Sequence, residues 1–339
     1  HAIRLNPQFV DAYINRGVIK QERGDLEGAL FDFNEAIRLN PQSLSGYNNR
    51  GFIKKKRGDL EGALLDFNET IRLDPHSSNS YLNRGITKQA KGDSNGAILD
   101  YNEAIRLNPQ EITAYNNRGL IKKRKGDLEG ALEDYTAAIR VDSQFILAYS
   151  NRGAAKQEKG DFAGALLDFD ESIRIDPQSS DSYYNRGIAK RQKKDLEGAI
   201  LDFTEAIRLN PQSSQAYSNR GGIKQEKGDS EEAILDYTEA IRLNPKSPNN
   251  HFNRGAVRHT QRDFSSAILD FTETIRLNPQ DSFAYYYRGL CQLNVENTET
   301  SLRARTDFKQ FLELTKNGKE ASIQQMTQHI LQVFPDLGK

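Results

Sequence analysis

Asparagine recurs at one place every 34 residues: Asn15, Asn49, Asn83, Asn117, Asn151, Asn185, Asn219 and Asn253, with Tyr287 ending the series. An amide side chain offers a donor and an acceptor together, the complement of one peptide unit. A row of amides at regular spacing could hold an extended chain by its backbone, largely irrespective of that chain's sequence. At about 0.5 to 1.5 kcal/mol net per hydrogen bond, several together would give useful affinity. The alternative use of the row is internal, with each amide bonding a neighbouring helix.

A second row is charged. Arginine follows the asparagine place throughout, from Arg16 to Arg288, and lysine lies one turn further on from Lys20 to Lys224. Aspartate holds one later place in every copy, from Asp32 to Asp270, with Asp307 in the last. Cations and an anion at fixed separation predict Arg–Asp pairs between two helices, half buried. A catalytic or anion-binding row is the lesser reading, because each cation already has an available anion. The histidines His1, His76, His251, His259 and His329 fall in different copies, and Cys291 is alone. No Ser-His-Asp, Cys-His, metal-ligand or phosphate-loop constellation is present. No catalytic residue, metal or cofactor is therefore expected, and His251, standing where other copies have tyrosine, reads as a packed core residue.

The elements that position these rows follow from the same period. Gly17, Gly51 and their successors to Gly289 are each 34 residues apart, and prolines keep the beat from Pro7 to Pro279, with Ser143 filling one gap. Self-similarity of this length marks a solenoid, in which no unit buries a core alone. In residues 44–77, Ser43 caps a helix from Leu44 to about Arg57, and Gly58 ends it. Asp59 caps a second helix running to about Leu73, and Pro75 blocks further extension. Gly51 and Ala63 allow the two helices to approach closely, while Tyr47 and Phe67 supply the core. The apolar fraction of 36% suits thin helical layers with much exposed surface. Lys plus Arg and Asp plus Glu are equal at 47 each, so no net field favours nucleic acid or an anionic membrane. No apolar run reaches membrane-spanning length. A single cysteine fits a reducing compartment, so a cytoplasmic location is expected.

The pattern Tyr47-x-x-x-Gly51, Gly58-Asp59, Ala63-x-x-x-Phe67, Pro75 resembles the tetratricopeptide repeat, and it recurs in register over most of the chain. The Asn-Arg-Gly-x-x-Lys variant looks like that of bacterial, especially cyanobacterial, repeat proteins. The resemblance implies an all-α, right-handed superhelix of nine helical hairpins, with the first helices lining a concave groove and the asparagine face turned into it. The asparagine row is similar to the ladder in the repeat region of O-linked N-acetylglucosamine transferase. The family's carboxylate clamp needs lysine just before the asparagine place and a second asparagine three residues beyond it, and no copy here has both. The RNA-reading pentatricopeptide repeats prefer a longer period and basic grooves.

Boundaries follow from the register. Residues 1–9 match the end of a copy and read as the tail of a truncated preceding repeat. Nine units are expected at 10–43, 44–77, 78–111, 112–145, 146–179, 180–213, 214–247, 248–281 and 282–318, and a capping helix and tail at 319–339. Ile323, Met326, Ile330 and Val333 share one face of that cap. The second helix of the ninth unit resumes three residues late. Lys194 and Arg262 stand where other copies have the cap glycine; with Ser143 they are the expected soft joints.

Comparison of the copies adds a specificity reading. The place before each asparagine varies most, and Tyr184, Phe252, Phe283, Tyr286 and Tyr287 give the C-terminal half an aromatic bias, with the side-chain types common at binding hot spots. The alternative for Phe283 and Tyr287 is packing beneath the cap. The leading expectation is a non-catalytic scaffold binding an extended segment or helix of another protein through these residues and the asparagine row. The second is a structural subunit docking by its convex face or edges, and the third a regulatory repeat region of a longer enzyme.

Overall fold

A computed structural model of the chain describes residues 2–295, 298–316, 323–325 and 327–328. Every described regular element is an α-helix, and after the short Ala2–Leu5 helix they come in antiparallel pairs. The chain divides into two compact units, His1–Ile175 and Asp176–Lys339. The first holds the pairs Val10–Glu22/Leu26–Leu39, Leu44–Lys56/Leu60–Leu73, Ser78–Lys91/Ser94–Leu107, Ile112–Arg124/Leu128–Val141 and Ile146–Glu158/Phe162–Ile175. The second holds Ser180–Gln192/Leu196–Leu209, Ser214–Lys227/Ser230–Leu243, Pro248–Thr260/Phe264–Leu277 and Ser282–Leu293/Thr298–Thr315.

Local signals set the helix ends. Ser43 Oγ accepts from the Gly46 N–H at 3.1 Å, and Asp59 Oδ1 accepts from the Gly62 N–H at 2.9 Å, each satisfying a donor that the first turn leaves open. Between them Gly58 turns the chain at φ 85°, a left-handed conformation that costs glycine nothing. Lys194 and Arg262 adopt the same conformation at φ 66° and 64°, where a Cβ is strained. Lys194→Gly should therefore stabilise the protein by about 1 kcal/mol. Its side chain is 81% exposed and reaches Glu226 only at 4.0 Å, so little is lost with it. An unchanged or lower melting temperature would remove the strain argument.

The core runs between pairs as well as within them. Ala29 and Phe33 of one second helix pack with Ile53 from the next pair's first helix, and Ala131 and Tyr135 pack likewise with Ala155. The second unit repeats this with Ala199, Phe203 and Ile223, and again with Ala267, Phe271 and Cys291. Within each unit a pair completes its neighbour's core, which is why one pair cannot stand alone. Cys291 is fully buried, and burial pushes its thiol up to about 12, so it is a packing residue without thiolate character. His251 is 8% exposed and its Nε2 lies 3.3 Å from the Pro245 carbonyl. Tyr13 Oη donates to the Pro7 carbonyl at the same 3.3 Å, so the histidine stands in for tyrosine as a core residue.

The late second helix of the last pair begins at Thr298, and its register shift carries Asp307 to Arg288 at 2.7 Å. Of the apolar face expected over 319–334, Ile323 packs against the cluster of Tyr286, Ala304, Phe308 and Phe311. Met326, Ile330 and Val333 lie outside the described residues.

Candidate functional site

The charged row is a set of inter-helical ion triads. In the first seven pairs an arginine on the first helix forks onto the aspartate sixteen residues later and a lysine one turn on reaches the same carboxylate; in the eighth Arg258 takes the lysine's place on Asp270, and in the ninth Arg288 forks onto Asp307 nineteen residues on. Arg152 Nε and Nη2 donate to Asp168 at 3.0 and 2.6 Å, and Lys156 Nζ lies 2.8 Å from it. The aspartates are buried, Asp168 at 2% exposure and Asp32 at 0%. The guanidinium also rides over the tyrosine three residues before it, 5.7 Å from ring centroid to Arg152 Cζ. The ion pairs expected from the sequence are therefore present, and they are structural: the carboxylates are enclosed by their own cations.

The arginines have a third contact that sequence reading missed. Arg50 Nη1 donates to Asn34 Oδ1 at 2.9 Å, and Arg84 Nη1 donates to Asn68 Oδ1 at 2.9 Å, in each case on the second helix of the preceding pair. Later pairs use a hydroxyl instead, Arg152 on Thr136 at 3.2 Å and Arg220 on Thr204 at 3.0 Å. One guanidinium thus ties its own hairpin together and latches it to the neighbour. The available signal was the polar residue two places after each aspartate.

The asparagine row splits. Asn83 Nδ2 donates to Asn48 Oδ1 at 3.1 Å, Asn151 to Asn116 Oδ1 at 2.8 Å, and Asn219 to Tyr184 Oη at 3.1 Å, each 35 residues back on the preceding first helix. These three amides are committed to packing. The residue 35 before Asn49 is Ile14 and the one before Asn117 is Leu82, neither of which can accept a hydrogen bond. Before Asn253 it is Ser218, whose hydroxyl already donates to Asn250 Oδ1 at 2.8 Å. Among the described residues no hydrogen bond from the Asn49 or Asn253 amide is found, whereas Asn117 takes a long one, 3.4 Å, from Asn116 Nδ2 and also hydrogen-bonds the Tyr101 hydroxyl. Asn15 is exposed, and Asn185 is half buried at the head of the second unit.

The aromatic residues lie largely in contacts of their own. Tyr286 is 8% exposed and packs against Phe308 and Phe311, so its ring is core rather than open surface. Tyr287 stacks on Phe271 with centroids 5.8 Å apart, and Phe252 meets both rings edge-on. Phe283 tilts against Phe311 at 6.3 Å, and Tyr184 against Phe203 at 5.7 Å while its hydroxyl serves Asn219. All but Tyr286 keep part of their surface in solvent.

Two clefts open beside the row, at equivalent places in the two units. One of ≈ 190 Å³ is lined by Ser45, Asn48, Ser77, Asn79 and Ser80 among others. Its counterpart of ≈ 230 Å³ is lined by Gln215, Ser218, Asn219, Ser247, Asn249 and Asn250 among others. Hydroxyl and amide walls without charge match peptide groups better than they match ions.

Antiparallel helix pairs that complete one another's cores define a helical repeat scaffold. The tetratricopeptide repeat matches residues 10–43 and 180–213, and the TPR repeat matches 89–126, 119–160 and 223–261. The chain belongs to the tetratricopeptide repeat family, whose repeats serve as protein-interaction scaffolds. Among solved structures, the C-terminal part of a TPR repeat-containing protein from Cytophaga hutchinsonii is similar at 19% identity and TM-score 0.57, over 69% of this chain and 96% of that one. A tetratricopeptide repeat protein from Parabacteroides merdae is similar at 20% identity and TM-score 0.56, over 74% and 99%. The APC/C hetero-tetramer Cut9–Hcn1 gives 16% and 0.53, over 93% of this chain and 62% of that one. At these identities the likeness carries the fold alone. No curated protein matches the chain. No helix among the described residues is long and apolar enough to cross a membrane.

Proposed function

We propose that the chain is a non-catalytic scaffold that holds an extended segment or helix of a partner protein against the asparagine-bearing face of its first helices. The observation supporting this is the pair of uncommitted amides, Asn49 and Asn253, on half-exposed surface; Asn117, whose amide also touches the Tyr101 hydroxyl, lies between them in the row. A buried amide without partners would be costly, whereas one left at the surface is available to a ligand. The nine-unit division and the terminal cap belong to this proposal.

The split row gives the test. Capture of a partner by the wild type should be lost in the triple variant Asn49→Ala, Asn117→Ala, Asn253→Ala, with the fold unchanged. Three hydrogen bonds at about 0.5 to 1.5 kcal/mol each amount to roughly ten- to a thousandfold in affinity. The matched variant Asn83→Ala, Asn151→Ala, Asn219→Ala should instead lower stability. Retention of the partner by the first variant would move the interface off this face.

A second reading, docking through the opposite helices, has one observation in its favour. Leu65, Leu99 and Leu167 in the first unit, and Leu201, Leu235 and Leu269 in the second, are large apolar residues in second helices with 63–70% of their surface exposed. A partner that survives the asparagine variant but is lost on Leu65→Gln with Leu99→Gln would favour it.

A further inference from the structure

The first helices carry an alternation that the asparagine row alone does not show. Six residues after each asparagine, glutamine and a basic residue take turns: Gln21, Gln89, Gln157 and Gln225 in one set, Lys55, Lys123, Arg191 and His259 in the other. Two of the glutamines are committed inward, Gln89 Oε1 accepting from Tyr101 Oη at 2.7 Å and Gln225 Oε1 from Tyr237 Oη at 2.9 Å. Their own asparagines, Asn83 and Asn219, are the internally bonded ones. In the intervening repeats, among the described residues, the asparagine makes no bond to the residue 35 before it, and the basic side chain keeps part of its surface in solvent.

The fold shows what such a cation takes. Lys123 Nζ lies 3.2 Å from Glu158, and Arg191 Nη2 lies 3.8 Å from Glu226, each glutamate 35 residues on. The residue 35 beyond Lys55 is Ala90, which is exposed and carries no charge. Among the described residues Lys55 has no carboxylate partner; its ammonium sits 4.6 Å over the Phe52 ring, which is 40% exposed. Burial pushes this lysine below its ordinary pKa, the state of a cation partly stripped of water without a counter-charge. Lys56, beside it, is exposed and adds a second positive charge.

We infer that the asparagine face reads its partner two repeats at a time, and that the partner is an acidic segment, an aspartate or glutamate side chain seating on Lys55 over Phe52 while Asn49 and Asn117 hold its backbone. This rests on the groove reading above and adds the ligand's charge. Since basic and acidic residues balance at 47 each, the preference comes from this site and not from the field of the whole chain.

The test uses fluorescence anisotropy with two labelled peptides, one of alternating serine and glutamate, the other of alternating serine and glutamine. The wild type should bind the acidic peptide about tenfold more tightly, the worth of one charge-assisted hydrogen bond. Ala90→Glu should erase that preference by giving Lys55 the internal partner that Lys123 has, and Lys55→Gln should erase it directly. Glu158→Ala should strengthen acidic binding by freeing Lys123. Equal binding of both peptides, still dependent on Asn49 and Asn117, would overturn the acidic assignment and leave the groove reading standing. A preference that persists in both Ala90→Glu and Lys55→Gln would overturn the assignment to Lys55. Binding of neither peptide by the wild type at millimolar concentration would overturn both readings.

Discussion

Asp168→Asn is expected to destabilise the protein by about 3 to 5 kcal/mol, the cost of removing one partner from a buried ion pair. The side chain of Asp168 is 3% exposed and faces two cations, Arg152 at 2.6 Å and Lys156 at 2.8 Å. Asparagine would remove the charge and turn an N–H toward one of them, leaving two partly buried cations without an anion. Arg152 also holds Thr136 of the preceding pair, so the loss should spread to that junction. Because repeats contact only their neighbours, the effect should be local, with faster hydrogen exchange over 128–175 and a lower melting temperature. A melting temperature equal to wild type would show that the triad is screened and worth little.

The Asp32 triad contributes to an acid limit. At Asp32, burial pushes the carboxyl up, but the hydrogen bonds and charges of Arg16 and Lys20 outweigh it and hold the group below its ordinary 3.8. A carboxylate with a lowered folded pKa contributes stability that is complete above the unfolded value and is lost as pH falls through the folded one. Unfolding free energy should therefore decline below pH of about 4. Asp32→Asn should show a shallower decline.

Gly153→Val should cost about 3 kcal/mol through overpacking. A Cβ at Gly153 would lie 2.7 Å from Phe169 Cε1 and 3.0 Å from Cζ, closer than carbon atoms approach. Phe169 is fully buried, so its ring has nowhere to retreat. Glycine in a helix interior otherwise costs about 1 kcal/mol against alanine, a penalty the fold accepts here for the close approach. Gly222 provides the contrast, since its nearest contact for a Cβ is Tyr237 Oη at an ordinary 3.5 Å. Gly222→Ala should be neutral or stabilising by up to about 1 kcal/mol. Equal effects of small side chains at both places, measured by denaturant unfolding, would show that the contact with the aromatic ring does not decide.

Much of this was legible in advance because the causes are short-ranged. Ser43, Gly58 and Asp59 act within one turn of helix, so the ends at Leu44, Lys56 and Leu60 could be read from residue type, Arg57 falling just outside the helix as its C-cap. The Arg50–Asp66 pair was legible because a hairpin of fixed length brings residues sixteen apart face to face. The latch from Arg50 to Asn34 runs sixteen residues the other way, across a junction between pairs, and periodicity alone does not orient that junction.

By itself, then, the sequence determined the helices, their pairing into hairpins and the ion pairs within them, since each depends on neighbours along the chain or on a constant spacing. Only the tertiary structure decided which of eight identical asparagines are committed and which are open. That choice depends on the partner that packing brings up from other helices: Asn48 accepts from Asn83, Ile14 offers Asn49 nothing to bond, the Ser218 hydroxyl donates to Asn250 while making no bond with Asn253, and Asn117, facing Leu82, meets the Tyr101 hydroxyl instead. The aromatic residues make the same point, because Tyr286 and Tyr287 are adjacent in sequence and yet one is buried and the other half exposed. Residue type sets what a side chain can do; the partners that packing places beside it settle what it does.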